Sequence, residues 1–331
     1  MDAISSASRA RIREFPSQEL SNTAWSCATL SEANAPLLDA IAAQARATLP
    51  NELQLAVARS MDELHGDLVA AQMFEVNTGE LAWSYTFMSQ SSRPLLKDLL
   101  AASMELGRTF DSNHTVWAAH PGVRPPLGPA QFAGVEMPSI PCHLAGMCLV
   151  LKPPGWEVDT EGDSGILHLS GFLQQALPPS RRAVAFRPDF SFGFIHRLDT
   201  PSSGLILTAT SFEGYAWLEW QMYTYEIGRE YHVLGHGSAA AHGHLAVVRR
   251  ILDAGSTARV SSRGRPAESH IRFLASSRRG PSGGSFCHVA IRIFTGRRHQ
   301  IRVHMQHSGC PSVADGRYTL GPTLLLRRAA A

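Results

Sequence analysis

The chain has 331 residues, 44% of them hydrophobic and 18% charged, with a formal net charge of +2. That composition supports about two domains with substantial cores and excludes a largely disordered chain. No stretch reaches the roughly 18 uninterrupted apolar residues that a membrane-spanning helix requires.

Cys27, Cys142, Cys148, Cys287 and Cys310 are scattered and contain no C-x-x-C pair. Neither a disulfide framework nor a structural zinc site is indicated, and no metal is expected. A reducing compartment is the simpler reading, with cytoplasm and organelle both open. The charge is unevenly distributed: residues 1–139 carry 9 basic against 15 acidic side chains, and residues 140–331 carry 21 against 13. A basic second half is the electrostatic footprint of a polyanion binder. A compositional origin also fits, because Lys97 and Lys152 are the only lysines and all other cations are arginines.

Met1 to Arg13 holds three arginines against a single acid, a faint likeness to a transit peptide. From Phe15 to Leu106 the Ala- and Leu-rich spacing predicts helices, with Pro and Gly placed as helix-to-helix turns. Two segments are echoed at an offset of 58: Ala24-Trp25-Ser26 by Ala82-Trp83-Ser84, and Pro36-Leu37-Leu38 by Pro94-Leu95-Leu96. Phe15 and Phe74 lead into the two copies, and Phe110 with Trp117 suggests a third. This pattern resembles the degenerate octotricopeptide-like and pentatricopeptide-like repeats, in which neighbours bury each other's apolar faces. A small helical bundle with ordinary core tryptophans fits as well.

Six prolines between Pro121 and Pro141 mark an extended linker. Beyond it the hydrophobic period turns toward 2, and Met147–Leu151, Gly204–Ala209, His270–Leu274 and His288–Phe294 read as short strands.

Four islands in this half carry candidate chemistry. Leu149 to Trp156 is a strand running into the rigid turn Lys152-Pro-Pro-Gly155. Phe194 to Leu207 places His196, Arg197 and Asp199 on a loop before Ser203-Gly204 and a strand, where active-site residues concentrate. A surface Arg197–Asp199 pair of little energetic consequence is the plain alternative. Arg229-Glu-Tyr231 to Gly237 reads as a helix end entering a strand. Thr295 to His304 reads as a strand end followed by a helix, with His299 and Arg298 each sharing a helical face with Arg302. Two arginines stacked four apart repel unless an anion lies between them, and Asp199 is the natural candidate.

The ordered set K-P-P-G, H-R-L-D-x-x-x-S-G, R-x-Y, T-G-R-x-H-Q-I-R-x-H and Asp315-x-x-Tyr318 resembles the RluA-type pseudouridine synthase family over residues 145–328. The resemblance implies an isomerase that breaks the C–N glycosidic bond of an RNA uridine, turns the base and forms a C–C bond to the same ribose. It implies Asp199 as the essential carboxylate, Arg302 as its partner and Tyr231 as the ring stacked on the target base. Arg197 would help extrude that base, with His196, Lys152, Arg229, Arg298 and His299 as further substrate-binding candidates. No cofactor or metal is implied, and the partner is a uridine-containing ribosomal, transfer or messenger RNA.

Physical chemistry agrees with those roles: a shielded carboxylate is kept ionised by a neighbouring guanidinium, and a flipped base needs an aromatic face. A glycoside hydrolase would need a second carboxylate, and only Glu230 accompanies Asp199 in these islands. Four departures from the family pattern stand out. Arg229 replaces its lysine, Ser202 the threonine of its Thr-Ser-Gly, Ala314 its glycine before the aspartate, and Leu324–Ala331 stands where members continue with another strand. A shortened domain would expose a sheet edge, which leaves an inactive RNA-binding protein as the alternative.

The expected fold is therefore α+β. A mixed, mainly antiparallel sheet domain of pseudouridine-synthase type occupies 142–331, after an all-helical repeat-like domain at 1–110 and a linker at 111–141.

Overall fold

The computed structural model describes the chain except at residues 1, 31–32, 63–67, 90–91, 114–122, 125–135, 159–166, 238–242, 256, 279–283 and 320–331. Trp117, most of the Pro/Gly-rich stretch and the C-terminal Leu324–Ala331 thus lie outside the described residues. The chain forms two compact units, Met1–Glu226 and Ile227–Ala331.

The first unit opens with five helices: α1 (Asp2–Arg11), α2 (Ser17–Leu30), α3 (Ala35–Asp62), α4 (Val69–Phe87) and α5 (Arg93–Ser112). In α5, Leu95, Leu99, Ala102, Leu106 and Phe110 recur at helical spacing, and all are buried. Each such leucine or phenylalanine contributes about 1.5–3 kcal/mol on leaving water. The echoed segments occupy corresponding places. Trp25 and Trp83 lie toward the C-terminal ends of α2 and α4, and Pro36 and Pro94 stand second in α3 and α5. Helix α2 packs on α4, and α3 on α5.

Some of the expected turn markers fall inside helices instead. Pro50 lies within α3, Gly79 within α4 and Gly107 within α5. The two glycines are notches for a later helix, α7 (Phe212–Tyr223). A Cβ on Gly79 would stand 2.1 Å from the Tyr223 ring, and one on Gly107 would stand 2.6 Å from Glu213 Cα. A small cavity beside this packing is lined by Glu75, Thr78, Ser103, Glu219 and Tyr223.

The same unit contains a three-stranded antiparallel sheet in the order β1 (Ser139–Leu144), β2 (Met147–Lys152) and the later strand Gly204–Ala209. Between these strands come the short parallel pair β3 (Trp156–Glu157) and β4 (Leu167–His168), then α6 (Leu169–Ala176); Gly204–Ala209 is β5. The unit boundary falls inside 142–331 because α7, from the sheet half of the sequence, is packed on α4 and α5.

The second unit is built on a four-stranded antiparallel sheet. Its strands in chain order are β6 (Arg229–His236), β7 (His244–Val248), β8 (Ile251–Ala254), β9 (Thr257–Val260), β10 (Glu268–Arg278) and β11 (Ser285–Ile293), followed by α8 (Gln300–His307). The sheet order is β6-β11-β10-β7, and β8 and β9 form a separate hairpin. Cys287, Val289, Ile291 and Ile293 alternate inward along β11 and meet Val247, Ile271 and Met305 in one core. The mainly antiparallel expectation agrees with this sheet. Island three, read as a helix end, is strand from Arg229 onward, because Tyr231 and Val233 pack their alternate side chains on that core. Among the described residues, no helix is long and apolar enough to cross a membrane.

Candidate active site

The geometry of the Asp199 loop starts from strand periodicity. Cys148, Val150 and Lys152 share the inward face of β2, and all three are fully buried. Lys152 Nζ therefore ends beneath the loop and donates to the carbonyl oxygens of Pro153 (3.2 Å), Asp199 (3.3 Å), Thr200 (3.1 Å) and Ser202 (2.5 Å). Burial pulls this ammonium down to about 8, against the opposing pull of the Asp199 carboxylate. The turn after Lys152 closes on the same loop, with Gly155 N–H donating to Thr200 O at 2.8 Å. Lys152 thus holds the main chain around Asp199 from below, and the ammonium expected to meet substrate is committed to protein carbonyls.

Within the loop, His196 is half-buried and its Nε2 accepts the Leu207 N–H at 3.2 Å, tying the loop to β5. Arg197 is exposed, Leu198 is buried and Asp199 is half-buried. The segment just upstream is strained: Ser191 and Phe192 both adopt left-handed backbone, at φ 47° and 55°. Phe192 is nonetheless buried, its ring under the Arg124 guanidinium at 4.9 Å.

The remaining candidates lie in the second unit. Tyr231, half-buried, pairs with Ile291 in the ladder, and Arg229 Nη2 donates to Phe294 O at 3.3 Å. Arg229 lies over Gly296, where a Cβ would meet its Nη1 at 2.9 Å. The helix expected directly after Thr295-Gly296 begins only at Gln300. His299 sits in left-handed backbone at φ 52°, so Arg298 is outside the helix and does not stack four residues from Arg302. Arg298 Nη1 instead faces Asp253 Oδ1 at 3.5 Å.

Gln300 explains this late start. It is buried, and its amide oxygen accepts from Thr295 Oγ1 (2.7 Å) and Arg297 N–H (3.0 Å). Its amide nitrogen donates to Glu268 O (2.9 Å) and Ser269 Oγ (3.0 Å).

Arg302 is gripped along one edge, Nε and Nη2 each donating to Asp315 at 2.6 Å. Its guanidinium also lies 4.7 Å from the Tyr318 ring centre. Burial works to raise the Asp315 carboxyl, but hydrogen bonds from Arg302 and the Arg317 N–H outweigh it and hold the group below its ordinary value. Tyr318 Oη accepts the Ala258 N–H at 2.7 Å and partners His299 Nδ1 at 2.8 Å. Asp315 and Tyr318 were visible as a motif, but nothing in their spacing assigned them to Arg302 and His299. His304 is fully buried against Ser269 Oγ at 2.9 Å, and burial lowers it to about 4, which makes it a structural group. Among the described residues, no group of three or more His, Cys, Asp or Glu is arranged to hold a metal.

Residues 147–307, the stretch that carries the four islands, match the RNA pseudouridylate synthase family. Among curated relatives, ribosomal large subunit pseudouridine synthase D of Buchnera aphidicola is 34% identical over 128 residues, 38% of this chain and 39% of that protein. The protein of the same name from Pseudomonas aeruginosa is 33% identical over 135 residues, 39% of this chain and 40% of that one. An uncharacterized RNA pseudouridine synthase of Chloroflexus aurantiacus is 31% identical over 152 residues, 46% of this chain and 46% of that one. The chain thus spans about two fifths of the length of the first two relatives. A solved structure, human RNA pseudouridylate synthase domain containing 1, aligns with 22% identity and a TM-score of 0.45, over 57% of this chain and 72% of that one.

Proposed function

We propose that the protein isomerises uridine to pseudouridine in RNA, with Asp199 as the catalytic carboxylate. The observation that carries this reading is the family match over 147–307, together with an Asp199 loop whose main chain is caged by Lys152. An isomerase that breaks one bond of a nucleotide and forms another on the same sugar needs a carboxylate whose position does not drift, and no outside reactant.

In this reading Asp199 acts as nucleophile or base during C–N cleavage. Tyr231 takes the part of the ring that stacks on the extruded base, and Arg302 that of the guanidinium in the family's pattern. Arg197, exposed on the loop, contacts the RNA where the base has left the stack. Asp315 and Tyr318 serve Arg302 as orienting groups. The domain at 142–331 carries the chemistry, and the helices at 1–110 help select the RNA. Ribosomal RNA is the first pool to examine, because relatives in Buchnera and Pseudomonas bear the name of ribosomal large subunit synthases.

The test is to incubate the full chain with ribosomal, transfer and messenger RNA pools and map new pseudouridines, comparing the wild type with Asp199→Ala. New sites with the wild type and none with the variant support the assignment. Equal RNA binding by both, with no new site on any pool, would instead establish an RNA-binding protein without turnover.

A further inference from the structure

Residues 249–265 hold Arg249, Arg250, Arg259, Arg263 and Arg265 against one carboxylate, Asp253. The chain here is the β8–β9 hairpin and its two flanks. Arg249, Arg259, Arg263 and Arg265 are all exposed. Main-chain bonds bring the flanks together at the hairpin base. Ser261 N–H donates to Arg250 O at 2.9 Å, and Ile251 and Arg265 exchange both their N–H···O bonds at 2.8 Å. Arg250 Nε then donates to Gly264 O at 2.7 Å. Gly264 permits the closure, since a Cβ there would stand 2.3 Å from the Ile251 carbonyl carbon. The arginines are thereby gathered at the base, with Arg259 paired opposite Leu252 one step above.

The hairpin packs on the rest of its unit. Ile251, Ala258 and Ala267 share a core with Val303 of α8 and with Tyr318. Asp253 at the far end faces Arg298, so the one local carboxylate answers a cation from outside the segment. No large apolar side chain is exposed among the described residues of 249–265. Such a surface lacks the aromatic and aliphatic anchors of a protein interface and has the polar, strongly positive character of a phosphate-backbone contact.

We propose that the β8–β9 hairpin and its arginine-rich base form a clamp for the phosphate backbone of RNA flanking the target nucleotide. The proposal rests on the RNA reading above and adds where the strand is held. Because phosphates carry no sequence information, the clamp supplies affinity and register rather than choice of uridine.

The experiment measures binding of the full chain to a fluorescent uridine-rich oligoribonucleotide across a salt series, alongside pseudouridine formation on ribosomal RNA. Replacing Arg249, Arg259 and Arg263 together by Gln keeps part of each apolar stem and removes three charges. Each lost phosphate contact should reduce the slope of log affinity against log salt by about 0.7–0.9, so the triple variant should lose about 2–3 in slope. Single Arg259→Gln and Arg263→Gln variants, each expected to lose about one unit or less, serve if the triple variant does not fold. An unchanged slope in folded variants overturns the clamp and assigns the arginines to an acidic protein partner or to none. If the wild type binds RNA but forms no pseudouridine, the catalytic reading fails while the slopes still judge the hairpin.

Discussion

Asp111, in the last turn of α5, caps the start of α7: its two carboxylate oxygens accept the N–H groups of Phe212 and Glu213, each at 2.9 Å. Ser211 adds a second cap, accepting the Gly214 N–H at 3.0 Å. A helix N-terminus exposes four donors and a partial positive charge, and a carboxylate from another helix satisfies both. Asp111→Ala should destabilise the protein by about 0.5–2 kcal/mol, read as a lower thermal midpoint. Asp111→Asn should recover part of the loss, because one of the two acceptors survives.

Lys152 allows the loop and the RNA to be separated experimentally. Lys152→Met keeps the buried stem but strands the carbonyls of Pro153, Asp199, Thr200 and Ser202, at a cost on the order of 3 kcal/mol. Under the proposed function, because the ammonium lies under the loop, RNA affinity should change little while turnover falls by about 100-fold through misplacement of Asp199. Equal losses in affinity and turnover would return Lys152 to the substrate-binding set.

The Arg302–Asp315 pair gives an acid-dependent signal. Asp315 is held below its ordinary value of 3.8, so the pair contributes stability above that pH and loses it as the pH falls through the lower native value. Asp315→Asn should therefore be less stable than the wild type at pH 7, with the gap closing below about pH 4. Urea midpoints at pH 7, 5 and 3 measure this directly.

Glu75 and Glu219 act in the opposite direction. Burial raises Glu75 to about 8, helped by the charge of Glu219, and burial raises Glu219 to about 7. Native carboxyls that resist ionisation cost nothing below about pH 4.5 and penalise the fold increasingly as the pH climbs through 7 and 8. The melting midpoint should decline from pH 6 to pH 9, and Glu75→Gln should flatten that decline.

Much of this was legible in the sequence. The strand Met147–Leu151, the run Gly204–Ala209 and the strand expected at His288–Phe294, observed as Ser285–Ile293, follow from alternation and turn residues, and the helical half follows from its 3.6-residue spacing. What spacing could not convey was contact between distant segments. Gly79 and Gly107 read as turn residues because their partners, Tyr223 and Glu213, lie more than 100 positions away. The burial of Lys152 was latent in the alternation Cys148, Val150, Lys152, but a lysine beside a Pro-Pro-Gly turn invites a surface assignment. The late start of α8 was hidden in Gln300, whose amide oxygen holds Thr295 and Arg297 while its amide nitrogen is tied to Glu268 and Ser269.

The left-handed pair Ser191–Phe192 has a consequence for how the molecule can change over evolutionary time. With this contorted dipeptide on its upstream side and the Lys152 cage beneath, the stretch carrying Asp199 is pinned at both ends. Little drift in length or composition can be absorbed there, so sequence change is more easily accommodated at the periphery, in the hairpin and the N-terminal helices.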